Sequence, residues 1–181
     1  MSLLGAAEIR ELAEALDLKP SKSLGQNFVH DGNVCRKIVR TAGLTSTDVA
    51  LEIGPGLGSL TLAMLEEAQA VVAVEIDSRL ATQLPITAAK HSDRAEILTV
   101  INQDALTLKD LPIDPTVLIA NLPYNVSVPV FLHLLEILPS LRSGVVMVQA
   151  EVADRLAAKP NSKEYGIPSV KAAWWADVTG A

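Results

Sequence analysis

The composition of the 181 residues, 49% hydrophobic and 20% charged, is typical of a single globular domain and excludes a disordered chain. Lys and Arg total 15 against 21 Asp and Glu, and the net charge of −6 is not that of a basic nucleic-acid-binding protein. The only cysteine, Cys35, excludes an internal disulfide, and we interpret it as a buried residue in a reduced, cytoplasmic compartment. Charged residues from Glu8 onward exclude an export signal, and no apolar run is long enough to span a membrane.

The first 47 residues predict two helices. Apolar side chains at Ile9, Leu12 and Leu16, with charges between them, indicate an amphipathic helix over residues 6–18 that ends before Pro20. Asp31 is the predicted N-cap of a second helix that ends at Gly43. We treat residues 1–47 as an N-terminal helical segment and residues 48–181 as the core domain.

The core domain alternates short apolar runs with helical patterns. The runs predict strands over residues 49–53, 70–76, 97–101, 117–120 and 144–149. Helices are predicted over residues 59–68, 78–90, 129–138 and 151–158. Trp174 and Trp175 are expected to pack a last helix into the core, and stacking on RNA is the alternative for them. This order predicts an α/β fold in which a mainly parallel sheet carries helices on both faces.

A glycine-rich loop follows the first strand and contains Gly54, Gly56 and Gly58. Glycine allows a sharp turn and a close approach of a ligand to the main chain, and ligands of open parallel sheets bind beyond the carboxyl ends of the strands. The Gly-x-Gly-x-Gly spacing differs from that of dinucleotide dehydrogenases, no Walker lysine follows, and Glu52 suits a pyrophosphate poorly. A tight turn without a ligand is the alternative for the glycines alone.

Two carboxylates after the next strands favour a ligand. Glu75 ends the second strand, 21 residues after Gly54, where it can accept hydrogen bonds from both ribose hydroxyls. Asp104 follows the third strand and can accept from an adenine amino group, although an ordinary Asx-turn explains it equally well in isolation. Ribose and adenine recognition without phosphate recognition points to S-adenosylmethionine.

The fourth strand runs into the turn Asn121-Leu122-Pro123-Tyr124. Pro123 restricts Leu122 to an extended conformation, so the strand stops there. The Asn121 side-chain oxygen and the Leu122 carbonyl can accept both hydrogens of a planar exocyclic amine, while Tyr124 can stack on the base that carries it. Transfer of a methyl to such an amine needs alignment rather than a strong base. A structural β-turn is the alternative.

Six segments together resemble the rRNA adenine dimethyltransferases of the KsgA/RsmA type. They lie at residues 22–29, 51–61, 74–77, 121–125, 149–156 and 163–166, and their joint order is far more specific than any one of them. The resemblance implies a class I, Rossmann-like S-adenosylmethionine-dependent methyltransferase. Its expected activity is the N6-dimethylation of two adjacent adenosines near the 3′ end of small-subunit rRNA during ribosome biogenesis.

The resemblance also implies roles for individual residues. Asn27 and Val29 belong to a lid over the cofactor, Gly54 and Gly56 to the glycine loop, and Glu52 lies beside the methionine moiety. Glu75 meets the ribose and Asp104 the adenine. The catalytic residues are Asn121, between cofactor and target base, with Leu122 and Tyr124.

The family continues with a strand bearing a Phe-x-Pro-x-Pro segment and a small helical domain, neither of which this sequence contains. We expect residues 1–181 to bind S-adenosylmethionine but to methylate RNA poorly. The expected partner is the small-subunit rRNA of the immature ribosomal subunit. The protein is expected to be a cytoplasmic monomer with no membrane contact, and no metal is expected because His30, His91 and His133 lack ligand spacing.

Local charge favours RNA contact despite the acidic total. Between residues 19 and 40, five basic residues face one acid, and Arg155, Lys159 and Lys163 form a second basic cluster. A solvated helix face is the alternative for both. The alternative functions are a large-subunit rRNA adenine methyltransferase of the macrolide-resistance type and a non-catalytic ribosome-assembly binding protein. A nicotinamide oxidoreductase is the least favoured function, because the glycine spacing of this sequence is not that of dinucleotide dehydrogenases.

Overall fold

The computed structural model of the protein describes residues 2–18, 31–123 and 125–180. Three predicted site residues therefore lie outside the described residues. They are Asn27 and Val29, which the sequence assigns to the lid, and Tyr124, which it assigns to base stacking. The parallel sheet predicted from the sequence is confirmed. It has five parallel strands in the order β3-β2-β1-β4-β5. The strands are β1 (Val49–Ile53), β2 (Ala70–Glu75), β3 (Leu98–Asn102), β4 (Val117–Asn121) and β5 (Ser143–Met147).

Seven α-helices occur in the described residues. They are α1 (Ala6–Ala15), α2 (Gly32–Thr41), α3 (Ser59–Glu67), α4 (Ser78–His91), α5 (Ser127–Ile137), α6 (Ala150–Ala157) and α7 (Ile167–Trp175). Most predicted boundaries hold within one or two residues. The first helix is shorter than predicted. It ends at Ala15 rather than at residue 18, and Asp17 follows in a left-handed conformation. Residues Ala95–Ile97 form a 3-10 turn, so β3 starts one residue later than predicted.

Helices cover both faces of the sheet because successive strand residues point to opposite sides. Ala50 and Val71 belong to the apolar core under α1 to α4, whereas Leu51 and Val72 belong to the core under α5 to α7. Leu4 and Ile9 lie in the first of these cores, so the N-terminal segment shares it with the core domain. Cys35 is buried there, as predicted.

Asp31 caps α2, as its sequence position predicts. Its side chain accepts a hydrogen bond from the Asn33 backbone N–H at 2.8 Å. The helix ends at Thr41, and Gly43 follows with a φ of 68°, a conformation that glycine adopts at little cost. The capping prediction at both ends of α2 is therefore confirmed.

The prediction that Trp174 and Trp175 pack into the core is wrong. Trp174 is 79% exposed and Trp175 51% exposed. Helix α7 packs against α5 and α6, and its inward face carries the buried Ser169 and Ala172. Trp174 lies two residues beyond Ala172, about 200° around the helix, and so faces away from the core.

Within the described ranges, no helix is both long and apolar enough to cross a membrane.

Candidate active site

A cavity of about 500 Å³ lies along the carboxyl ends of β1 to β4. Its size is that of a site for a small organic ligand. It brings together residues that are distant in the sequence, because the carboxyl ends of parallel strands meet at one edge of the sheet. Its lining includes three predicted segments. They contribute Gly54 from the glycine loop, Glu75 and Asp104 from the acidic strand ends, and Asn121 and Leu122 from the Asn-Leu-Pro turn.

The glycine loop is shaped by left-handed backbone at Gly54 and Gly56. Their φ angles are 69° and 58°, which L side chains rarely adopt. The Gly54 N–H donates to the Val74 carbonyl at 2.9 Å, so the loop is joined to the end of β2. A Cβ added at Gly54 would lie 3.9 Å from the main-chain oxygen of Asn121. The loop and the end of β4 therefore form adjacent walls of the cavity.

Glu75 is held in place by the backbone rather than by a cation. The Gly56 N–H donates to Oε2 at 3.1 Å, and the Asp77 N–H donates to Oε1 at 2.9 Å. Glu75 is 5% exposed, and burial raises its carboxyl pKa against the opposing effect of these two hydrogen bonds. A carboxylate oxygen has two lone pairs, so each oxygen can accept a further hydrogen bond from a ligand hydroxyl. Glu75 is thus a buried acceptor at the cavity and not a solvated strand end.

The ends of β2 and β3 are tied together beside Glu75. The Asn102 side chain donates from Nδ2 to the Glu75 carbonyl at 2.8 Å, and the Gln103 N–H donates to the same oxygen at 3.1 Å. Asp104 follows directly, and its Oδ1 accepts from the Leu106 N–H at 2.9 Å. Asp104 thus caps a 3-10 turn and lines the cavity at the same time. Its structural and ligand-binding interpretations are compatible.

Asn121 ends β4 at the opposite side of the cavity from Asp104, because β4 and β3 lie on either side of the β1–β2 pair. Leu122 is buried, and its N–H donates to the Met147 carbonyl at 3.0 Å, which links the turn to β5. Asn121 and Leu122 therefore lie together at the cavity, as their sequence position predicts.

Sequence reasoning missed two apolar residues at the cavity, Ile76 and Leu106. Both line it and are exposed, Ile76 to 68%. Each lies one or two residues after an acid at a strand end, Glu75 or Asp104, and that position is the signal that could have revealed them. They offer apolar surface to a flat base beside the carboxylates.

The charge of the cavity wall distinguishes between ligands. Four acidic side chains line it, those of Glu52, Glu75, Asp77 and Asp104, and none of the lining residues in the described part of the chain is Lys or Arg. Such a wall disfavours phosphate groups and favours a cationic ligand. Together with the glycine loop and the buried acceptor Glu75, it fits a nucleoside that carries a positive charge, such as S-adenosylmethionine.

The described part of the predicted basic clusters is partly neutralised. Arg36 makes a bidentate ion pair with Glu66, with both N–O distances at 2.7 Å. Lys159 lies 3.5 Å from Asp177. Lys37, Arg40, Arg155 and Lys163 are exposed. Lys19 and Lys22 lie outside the described residues.

Among the residues described, no group of three or more His, Cys, Asp or Glu side chains could hold a metal ion.

Comparison with known proteins identifies the family. The family model for ribosomal RNA adenine dimethylase matches residues 18–180. The chain belongs to this family. The resemblance inferred from the six sequence segments is therefore confirmed.

Curated relatives of the dimethylase family are similar over nearly the whole chain. "Ribosomal RNA small subunit methyltransferase A" of Leifsonia xyli subsp. xyli is 62% identical over 176 residues, which is 97% of this chain and 63% of the relative. The protein of the same name from Corynebacterium diphtheriae is 61% identical over 99% of this chain and 61% of its own length. The chain thus spans about three fifths of the length of the curated relatives it matches.

Solved structures of two methyltransferases share this dimethylase fold. A dimethyladenosine transferase from Plasmodium falciparum aligns with a TM-score of 0.68 at 30% identity, over 78% of this chain and 50% of that one. The 23S rRNA methyltransferase ErmE aligns with a TM-score of 0.64 at 30% identity, over 72% of this chain and 51% of that one. The predicted class I methyltransferase fold is therefore confirmed.

Proposed function

We propose that this chain binds S-adenosylmethionine and carries the methyl-transfer site of an N6-dimethylase acting on two adjacent adenosines near the 3′ end of small-subunit rRNA. The observation that carries the proposal is the single cavity that brings Asp104, Glu75, the glycine loop and Asn121 together along the strand ends. The family and the name of the curated relatives support the adenine substrate.

In this proposal each cavity residue has a part in the reaction. Asp104 on the β3 side accepts from the adenine amino group of the cofactor, and Glu75 at the end of β2 accepts from the ribose hydroxyls. When bound, S-adenosylmethionine supplies an activated methyl group on a sulfonium. At β4 the Asn121 side-chain oxygen and the Leu122 carbonyl accept the two hydrogens of the target amine, which aims its lone pair into the cavity.

Residues outside the described ranges complete this proposal. Asn27 and Val29 form the lid over the cofactor, and Tyr124 stacks on the target adenine. The exposed Arg40, Arg155 and Lys163 contact the rRNA phosphates of the immature small subunit. We assign the protein to the cytoplasm, where ribosomes are assembled, as a monomer.

Similarity does not favour the alternative large-subunit activity. The curated small-subunit relative is 62% identical, whereas ErmE, whose title names 23S rRNA, is 30% identical. A non-catalytic assembly role gives no reason for a cavity that joins the acidic strand ends to the Asn-Leu-Pro turn. We therefore retain the small-subunit methyltransferase.

The decisive residue test is Asn121→Ala. Asn121 orients the amine mainly in the transition state, so its loss lowers the transfer rate more than it weakens cofactor binding. Single-turnover transfer from labelled S-adenosylmethionine to immature small subunits is expected to fall at least tenfold, measured with the protein in excess and in a version extended to the length of the curated relatives. Calorimetric affinity for S-adenosylhomocysteine is expected to stay within about threefold, a change of under 1 kcal/mol.

The matched control is Asn33→Ala, an exposed residue of α2 outside the cavity, which is expected to leave the rate unchanged. A transfer rate of Asn121→Ala within threefold of the parent would contradict the role of Asn121. A parent chain that binds NAD but not S-adenosylhomocysteine would contradict the proposed function itself.

A further inference from the structure

The carboxyl group of Glu52 is a buried ionisable group that has no step in the proposed transfer, although the resemblance implies that it lies beside the methionine moiety. Glu52 lies near the end of β1, lines the cavity and is 2% exposed. Its Oε2 accepts a hydrogen bond from the Thr61 hydroxyl on α3 at 2.5 Å. The side chain is therefore fixed against the first turn of α3, at the inner wall of the cavity.

The other acids of the cavity wall have partners that Glu52 lacks among the described residues. Glu75 receives two backbone N–H groups, Asp104 receives the Leu106 N–H, and Asp77 makes an ion pair with Arg79. No salt bridge within the described ranges involves Glu52. A buried carboxylate without a cation or several N–H donors is unfavourable, and such a group takes up a proton instead.

The groups that face Glu52 come from three elements packed around it. They are Glu75 on β2, Cys35 on α2 and the neutral Thr61 on α3. Burial raises the pKa of Glu52 to about 8, the Thr61 hydrogen bond opposes this effect, and the nearby Glu75 charge adds to it. Burial and the Glu52 charge also raise the pKa of the Cys35 thiol, which stays neutral at pH 7. Glu52 is thus mainly protonated in the empty cavity at neutral pH.

The strand order determines which part of the ligand passes Glu52. The sheet runs β3-β2-β1-β4, and adjacent strands lie about 4.8 Å apart. On the proposed function, adenosine occupies the ends of β3 and β2, and the methyl group must reach Asn121 on β4. The chain of atoms between them crosses the end of β1, where Glu52 lies. In S-adenosylmethionine this part carries the sulfonium and the amino-acid end with its ammonium group.

We propose that Glu52 holds a proton in the ligand-free protein and releases it to solvent when the ammonium group at the amino-acid end of the cofactor binds at β1. The O–H bond of the carboxyl group breaks, the proton passes to the buffer, and the carboxylate that remains pairs with the ligand's ammonium group. This inference rests on the proposed function and adds to it: Glu52 is a specificity residue that selects a ligand with an ammonium group over a nucleoside without one.

The test is isothermal calorimetry of S-adenosylhomocysteine binding at pH 7 in phosphate and in Tris, buffers with different ionisation enthalpies. The difference between the two apparent enthalpies gives the number of protons released. For the parent chain we expect release approaching one proton per ligand, and an affinity that rises with pH between 6 and 8 by up to about tenfold per pH unit. Release is expected to disappear above pH 9.

Two variants and a second ligand test whether the released proton comes from Glu52. Glu52→Gln, which keeps an oxygen to accept from Thr61, is expected to release no proton and to lose the pH dependence of affinity. The matched control Glu67→Gln changes an exposed residue of α3 outside the cavity and is expected to behave as the parent. Methylthioadenosine, which lacks the amino-acid end, is expected to bind the parent without proton release.

The outcomes separate this inference from the proposed function. S-adenosylhomocysteine that binds the parent with no proton release between pH 6 and 8 overturns the role of Glu52 and leaves the proposed function standing. Equal proton release by the parent and Glu52→Gln does the same. If neither ligand binds the parent chain, the proposed function and the inference both fail.

Discussion

At the scale of single residues, Glu75 shows how backbone donors prepare a carboxylate for a ligand. The N–H groups of Gly56 and Asp77 fix both oxygens, so their remaining lone pairs point in set directions. Each hydrogen bond to a charged acceptor contributes about 1.5–3 kcal/mol. We expect Glu75→Ala to weaken S-adenosylhomocysteine binding at least tenfold while the domain stays folded. Calorimetry with Glu67→Ala as the control checks this, and an unchanged affinity would contradict the assignment of Glu75 to the ribose.

The residues that the sequence could locate are those whose position in the chain decides their place in the fold. Glu75 and Asn121 end strands of a parallel sheet, so they lie at the cavity once the strands are recognised. The exposure of Trp174 could not be predicted because it depends on which face of α7 meets α5 and α6. The protonation of Glu52 likewise depends on three-dimensional burial and on the Thr61 contact.

At the scale of secondary-structure elements, the edge of the sheet opposite the cavity is held by the buried Asp48. Arg142, just before β5, donates from Nε and Nη2 to both carboxylate oxygens, and its Nη2 also reaches the Gly43 carbonyl at 3.1 Å. Thr116, before β4, donates to Asp48 Oδ1 at 2.8 Å. One carboxylate thus joins the starts of β1, β4 and β5 at the edge of the sheet away from the cavity.

We expect Arg142→Met to lower the free energy of unfolding by about 1–3 kcal/mol, because it leaves the buried Asp48 carboxylate without its cation. The affinity for S-adenosylhomocysteine is expected to change little, since Arg142 is far from the cavity along β5. Urea unfolding measures the first quantity and calorimetry the second. Arg155→Met, at an exposed position on α6, is the control and is expected to be neutral. Equal stabilities of both variants would show that the Asp48 network does not hold the strands.

Element types were predictable because the strands are continuous apolar runs and the helices have apolar residues at helical spacing, with Asp31 marking the start of α2. The boundaries of β3 and β5 were less predictable, since the 3-10 turn at Ala95–Ile97 and the start of β5 at Ser143 depend on contacts with other elements. The Asp48 network joins residues up to 99 positions apart in the sequence, and no local pattern indicates it.

At the scale of the whole molecule, the carboxyl groups divide into two sets with opposite effects on stability. Hydrogen bonds and ion pairs with Arg142, Arg36 and Arg79 lower the pKa values of Asp48, Glu66 and Asp77. These groups stabilise the fold above their unfolded pKa values, and that stability is lost as the pH falls through their folded values. Burial raises the pKa values of Glu52 and Glu75 and gives the opposite pH dependence.

The direction in which Glu52 changes stability with pH follows from the number of protons that it binds in the folded and unfolded states. Between pH 4.5, its ordinary pKa, and about 8, the folded protein binds a proton that the unfolded chain has released. Stability therefore falls as pH rises through this window, by at most about 1.4 kcal/mol per pH unit for one group. We expect the free energy of urea unfolding of the parent to decline from pH 5 to pH 8. Glu52→Gln is expected to flatten this decline and to be more stable than the parent at pH 8, while Glu67→Gln is expected to follow the parent. A slope that is the same in the parent and in Glu52→Gln would mean that Glu52 is ionised in the empty cavity, and that the charge of the cavity wall is balanced in another way.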